Sequence, residues 1–122
     1  MEVPLTINFF LKKAVYYVNF LIMNTPQKGT FRHIVFKDGD TWYAVALEFN
    51  IVESSDDPKL AFMGLMQAVS GYIQSLKKLK GARFSPLNQK SDLEYEKLWA
   101  NLNSPKLVKS PFQIDMFGVS RV

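Results

Sequence analysis

From Phe31 to Lys37 the side chains fall into two sets, Arg32, Ile34 and Phe36 against Phe31, His33 and Val35, because successive strand residues face opposite ways. A second alternating run, Thr41 to Phe49, sets Trp42, Ala44, Ala46 and Glu48 against Tyr43, Val45, Leu47 and Phe49, and the latter set is the stronger core face. Lys37-Asp38-Gly39-Asp40 between them predicts a tight hairpin, since Asp-Gly suits a turn whose two central residues need positive φ. After Asn50, Ile51 to Ser54 predicts a short third strand, with Val52 buried and Ile51 and Glu53 facing outward.

At Ser55-Asp56-Asp57-Pro58 the periodicity changes to that of a helix. An Asp side chain caps free backbone N–H groups, Pro fits the first helical position, and both carboxylates suit the positive end of the helix dipole. Ala61, Leu65, Ala68, Val69, Tyr72, Leu76 and Leu79 form one stripe, widened by Phe62 and Ile73, with Lys59, Gln67, Ser70, Gln74 and Lys78 opposite. Lys77, Lys78 and Lys80 crowd the last turn and Gly81 supplies the stop. Gly64 and Gly71 each cost roughly 1 kcal/mol of helix propensity relative to Ala, which predicts a second backbone passing close by.

The ends are less regular. Ala82 to Leu87 is short, contains Pro86, and allows one edge strand at most. Ser91-Asp92-Leu93-Glu94 has the spacing of a capping box ahead of a helix whose stripe is Tyr95, Leu98, Trp99 and Leu102. In the tail, Phe112, Ile114 and Met116 alternate with Gln113 and Asp115, which predicts a terminal strand. At the front, the apolar run from Ala14 to Met23 is about half the length that a membrane-spanning helix needs. Lys12 and Lys13 come late, Asn19 interrupts, and no small-residue cleavage site follows, so it does not read as a secretory signal. Three readings stay open: an extra element packed on the domain, a membrane-surface or partner-binding segment, or an extension ahead of a start at Met23. The chain thus divides into an N-terminal apolar segment (1–29), a core (30–84) and a C-terminal helix and tail (85–122). The class is α+β: a small antiparallel sheet of three to four strands, one long helix packed across it, and a shorter C-terminal helix.

Composition narrows the chemistry. At 122 residues and 48% hydrophobic the chain suits one modest core. It has no cysteine, which removes disulfides and thiolate metal sites and leans toward a reducing, cytoplasmic setting. The net charge is +4, yet residues 31–80 hold six Lys/Arg against six Asp/Glu. The excess lies at Lys12, Lys13, Lys28 and beyond Gly81, which is a mildly basic protein rather than a basic groove. His33, the single histidine, has no second titratable group at a diagnostic offset and reads as a structural or surface residue rather than a catalytic base. Asp38, Asp40, Asp56 and Asp57 are explained by a turn and a helix cap, and Asp38-Gly39-Asp40 lacks the ligand spacing of a calcium loop. No catalytic residue, metal ligand or cofactor is assigned.

Binding candidates are aromatic and basic. Trp42 lies opposite the stronger core face, so it is either an exposed interface anchor or part of a second small core. With Phe31 and Tyr43 it forms the aromatic set, and Lys77, Lys78, Lys80 and Arg83 form the cationic set. Two functions from different classes use them: binding of a protein partner, or stacking of RNA or single-stranded nucleic acid on sheet aromatics flanked by Lys/Arg.

The order of hairpin, short strand, acidic cap and helix resembles the HicB-like antitoxin family over about residues 31–80. His33-Ile34-Val35-Phe36, Asp38-Gly39-Asp40 and Trp42-Tyr43-Ala44-Val45-Ala46 match that family's opening strands and turn. Ser55-Asp56-Asp57-Pro58-Lys59-Leu60-Ala61 stands where its helix begins, and Ala68-Val69 with Tyr72-Ile73 echo the later half. Leu47 to Val52 lacks the family's Pro-Asp and Gly-Cys pairs, and the helix start lacks its Gly, Thr and Glu. The resemblance implies a β-β-β-α-β fold, a homodimer, and a non-enzymatic protein that occludes a small toxin ribonuclease. A single helix after Gly81 leaves the DNA-binding module of longer members without a place.

Overall fold

Four antiparallel strands make one sheet with a helix on each face, in a computed structural model that describes residues 24–25, 29–79, 85–106 and 108–121. The strands are β1 (Thr30–Asp38), β2 (Thr41–Ala46), β3 (Ile51–Ser55) and β4 (Gln113–Arg121), in the order β3-β2-β1-β4. The helices are α1 (Pro58–Lys78) and α2 (Leu93–Leu102). The α+β class, the long helix across the sheet and the shorter C-terminal helix are as the sequence predicts. Among the described residues no helix is long and apolar enough to cross a membrane. The readings for residues 1–23 lie outside the described residues, as do Lys80, Gly81 and Arg83.

The hairpin closes one residue later than expected. Asp38 pairs with Thr41, so the loop is Gly39-Asp40. Gly39 occupies its first central position at φ 64°, and Asp40 keeps a negative φ. The second strand also ends early, because Leu47–Phe49 forms a 3-10 turn closed by Asn50 at φ 52°. That turn breaks the alternation. Leu47 enters the core under α2, and Phe49 enters the core under α1 with Phe31, Val35, Trp42, Ala44 and Ala46. Ala44 and Ala46 are small enough to seat α1 closely, so the face that looked weaker in sequence carries the longer helix. Trp42 is buried there, which removes it as an exposed anchor.

β3 is inverted relative to expectation. Ile51 pairs with Ala46 and faces α1, whereas Val52 pairs with Val45 on the other face and stays 42% exposed. The cluster under α2 draws nothing from β3, so Val52 is left uncovered.

α1 starts as predicted. The Asp57 carboxylate accepts from the Lys59 and Leu60 amides at 2.8 and 3.2 Å, with Pro58 next to it. Ala61, Leu65, Val69, Ile73 and Leu76 are its buried positions, while Leu79 lies past the last turn and is exposed. Among the described residues no backbone makes the close approach expected at Gly64 and Gly71. A methyl group at Gly64 would meet only the Glu53 side chain, at 3.8 Å, and one at Gly71 would meet nothing within 4 Å.

β4 is the predicted terminal strand, with a bulge. Phe36 pairs with Ile114 and Val35 with Met116, so Asp115 is skipped. The α2 face therefore carries Ile114 and then Phe117 and Val119, not Met116. Ser85–Leu87 is a 3-10 turn, in place of the edge strand allowed there, and Leu87 is fully buried. Tyr72 donates from its hydroxyl to the Pro86 carbonyl at 2.9 Å, pinning this turn to α1.

Asn24 belongs to the same body. Its amide N–H donates to Asn88 Oδ1 (2.8 Å), its side-chain N–H to the Leu87 carbonyl (2.9 Å), and its Oδ1 accepts from the Thr30 amide (2.7 Å). Gly29, at φ 155°, passes so close that a Cβ would sit 2.1 Å from Asn24 Oδ1.

Candidate functional site

Arg32 organises the α2 side of the sheet. Its guanidinium donates to Glu48 at 2.9 and 2.7 Å and to Glu96 at 2.8 and 2.6 Å, while its backbone N–H donates to Glu48 Oε1 at 2.6 Å. It also lies 5.6 Å from the Trp99 ring centre. The Glu96 and Glu48 hydrogen bonds hold Arg32 above its ordinary pKa against the opposing effect of burial. Glu96 is lowered, first by its bond from Arg32 and then by Ser91, whose hydroxyl donates to it at 2.7 Å. Ser91 is thus engaged here, and the N-terminal cap of α2 falls to Asp92, which accepts from the Glu94 amide at 3.0 Å. This clamp joins β1, the 3-10 turn and α2, and it replaces the capping box that the spacing suggested.

His33 does find a partner that its sequence neighbourhood does not contain. β4 brings Ser120 beside it, with Ser120 Oγ and His33 Nδ1 sharing a hydrogen bond at 2.8 Å. The ring is packed between Phe31 and Phe62, at 6.4 and 5.3 Å between centroids, and burial lowers its pKa. Among the described residues no carboxylate reaches this ring to orient it, so the pair lacks the third member of a hydrolytic set. Among those residues, too, no three acids or histidines are gathered in a way that would hold a metal ion.

The residues expected to bind a partner do not share one surface. Phe31 is 2% exposed, in the α1 core against Phe49. Trp42 is buried under the same helix with Lys37 Nζ 5.8 Å from its ring centre. Tyr43 faces the opposite side, stacked on Phe36 at 5.7 Å. A base-stacking platform of Phe31, Trp42 and Tyr43 is therefore not formed: strand alternation separates Trp42 from Tyr43, and α1 covers Phe31 and Trp42. Lys77 and Lys78 are exposed at the end of α1. Lys77 and Arg121 border a groove of about 310 Å³ between α1 and the end of β4, with Phe31 and Ile73 among its lining residues.

Two surfaces were missed. The first is the outer side of β4, an edge strand of nine residues whose Met116, Phe117 and Val119 are exposed. Its signal in the sequence, an apolar pair after Asp115, was hidden by the bulge. The second is a cavity of about 130 Å³ beside the hairpin, lined by Phe36, Tyr43, Tyr95 and Phe112 with Asp38 and Glu94.

The class that fold and site define is a small α+β protein whose sheet, among the described residues, has β4 as an unpaired edge. No protein family, curated protein or solved structure matches the chain.

Proposed function

We propose that this chain is a non-enzymatic, HicB-like antitoxin-type protein that binds a small toxin ribonuclease and occludes it. The observation that carries this reading is β4. Soluble proteins normally blunt a sheet edge with short strands, bulges, prolines or charges, because unpaired N–H and C=O groups recruit other chains. β4 carries one such device, the bulge at Asp115, but beyond it six residues place Phe117 and Val119, 42% and 60% exposed, beside an edge that is unpaired among the described residues. Such an edge suits a partner that adds a strand, with main-chain bonds supplying affinity and the two side chains supplying anchors. The resemblance over residues 31–80 supplies the kind of partner. Under this reading the protein acts in the cytoplasm as a homodimer.

Co-expression with the neighbouring open reading frame tests it. The neighbour alone should arrest growth, and this chain should relieve the arrest and co-purify with it. The Phe117→Asp/Val119→Asp variant should lose both effects with its circular dichroism unchanged, and light scattering of the free chain should give twice the chain mass. A neighbour that is harmless alone, with no small basic protein associating, would contradict the proposal.

A further inference from the structure

The cavity beside the hairpin is assembled from distant parts of the chain. Phe36 and Leu98, both buried, form its floor, and the half-buried Tyr43, Tyr95 and Phe112 form its walls. Around Phe36 the ring centroids lie at 5.7 Å (Tyr43), 6.2 Å (Tyr95) and 5.0 Å (Phe112). Asp38, at the end of β1, and Glu94, in the first turn of α2, supply exposed carboxylates at the rim.

We propose that this cavity receives the guanidinium of an arginine side chain presented by a protein partner. Aromatic faces are electron-rich and attract cations. Arginine suits the site better than lysine, because its planar group stacks on rings, is more weakly hydrated, and offers several donors at once to separate carboxylates. Among the described residues neither Asp38 nor Glu94 is held in an ion pair: the pairs that form join Arg32 to Glu48 and Glu96, and Lys37 lies over Trp42 on the other face of the sheet. Burial first, and then the nearby Asp92 and Glu94 carboxylates, raise the Tyr95 phenol above its usual pKa. The chain's net charge of +4 does not favour a basic partner, so it is the local acidity of Asp38 and Glu94 beside the rings that complements one. This deepens the proposed function by naming the chemistry that holds the partner, and it rests on that reading for the partner's identity alone.

The test uses the full chain, isotopically labelled, titrated with N-acetyl-arginine methylamide. N-acetyl-lysine methylamide and the neutral isostere N-acetyl-citrulline methylamide are run in parallel. Arginine should give saturable shifts centred on the Tyr43, Tyr95 and Phe112 rings, lysine should bind at least about threefold more weakly, and citrulline should not saturate. Asp38→Asn/Glu94→Gln should weaken arginine binding at least about fivefold and remove its salt dependence. The absence of saturable shifts at these rings, an equal response to lysine or citrulline, or unchanged affinity in the double variant would each overturn the inference. A cavity that ignores arginine while co-expression still relieves toxicity defeats this inference alone. A cavity that binds arginine beside a harmless neighbour defeats the proposed function alone.

Discussion

The face under α1 is mainly apolar, with the His33–Ser120 pair and a groove toward the end of β4, whereas the face under α2 is held by charges and ring contacts around a smaller cavity. On the first, a 21-residue helix lays Ala61, Leu65, Val69, Ile73 and Leu76 over Phe31, Val35, Trp42, Ala44 and Ala46. On the second, a 10-residue helix offers one buried side chain, Leu98, and is fastened at its N-terminal half through Glu96 to Arg32. Burial of apolar area is non-directional and stabilises the whole molecule, while a charged clamp fixes one helix at one angle. The two layers divide the work: α1 makes the sheet stable, and α2 with β4 shapes what faces outward.

Substitutions on the two faces should therefore differ in kind as well as size. Leu65→Ala, fully buried under α1, should cost about 3 kcal/mol and lower the denaturation midpoint of every probe together. Arg32→Ala leaves Glu48 and Glu96 without their shared cation, each keeping one hydrogen bond, from the residue-32 amide and from Ser91; since both carboxylates are partly exposed, the loss should be about 2 kcal/mol. Hydrogen exchange should show that loss first in α2, with α1 still protected. An equal acceleration in both helices would show that the two layers are one cooperative unit.

Acid should act on the second face by the same route, and more weakly. Glu96 titrates below its ordinary 4.5 in the folded protein, so its contribution is complete above that value and is lost as pH falls through the depressed one. Amide signals of α2 should broaden or shift below about pH 4 before those of α1 do, and simultaneous change would count against a separate clamp. The smallest effect runs the other way. Gly71→Ala adds a methyl group to an exposed helix position with no neighbour within 4 Å, and should raise stability by about 0.5–1 kcal/mol. A loss instead would mean that another chain packs against this flank.

Local signals were the legible ones. Asp57-Pro58 as a helix start, the two faces of β1 and the stripe of α1 from Ala61 to Leu76 each depend on residues a few positions apart, and each appears where the pattern puts it. The assignment of helices to faces was not legible, because it turns on the 3-10 turn at Leu47–Phe49, which shifts the alternation and sends Leu47 and Phe49 to opposite sides. The same turn moved Glu48 from beside Trp42 to Arg32. Contacts across long separations were also hidden: Arg32 with Glu96, His33 with Ser120, and Phe36 with Phe112 exist because α2 and β4 fold back onto β1. Of the candidate binding residues, Tyr43 lines the cavity, while Phe31 and Trp42 proved to be core.

Hydrogen exchange across the chain, free and with the product of the neighbouring reading frame, tests partner docking most directly. New protection should appear along Gln113–Arg121 and around the cavity at Tyr43 and Tyr95, with α1 unchanged. Protection confined to the outer face of α1, around Leu60 and Met63, or protection nowhere, would contradict docking on the β4 side of the sheet.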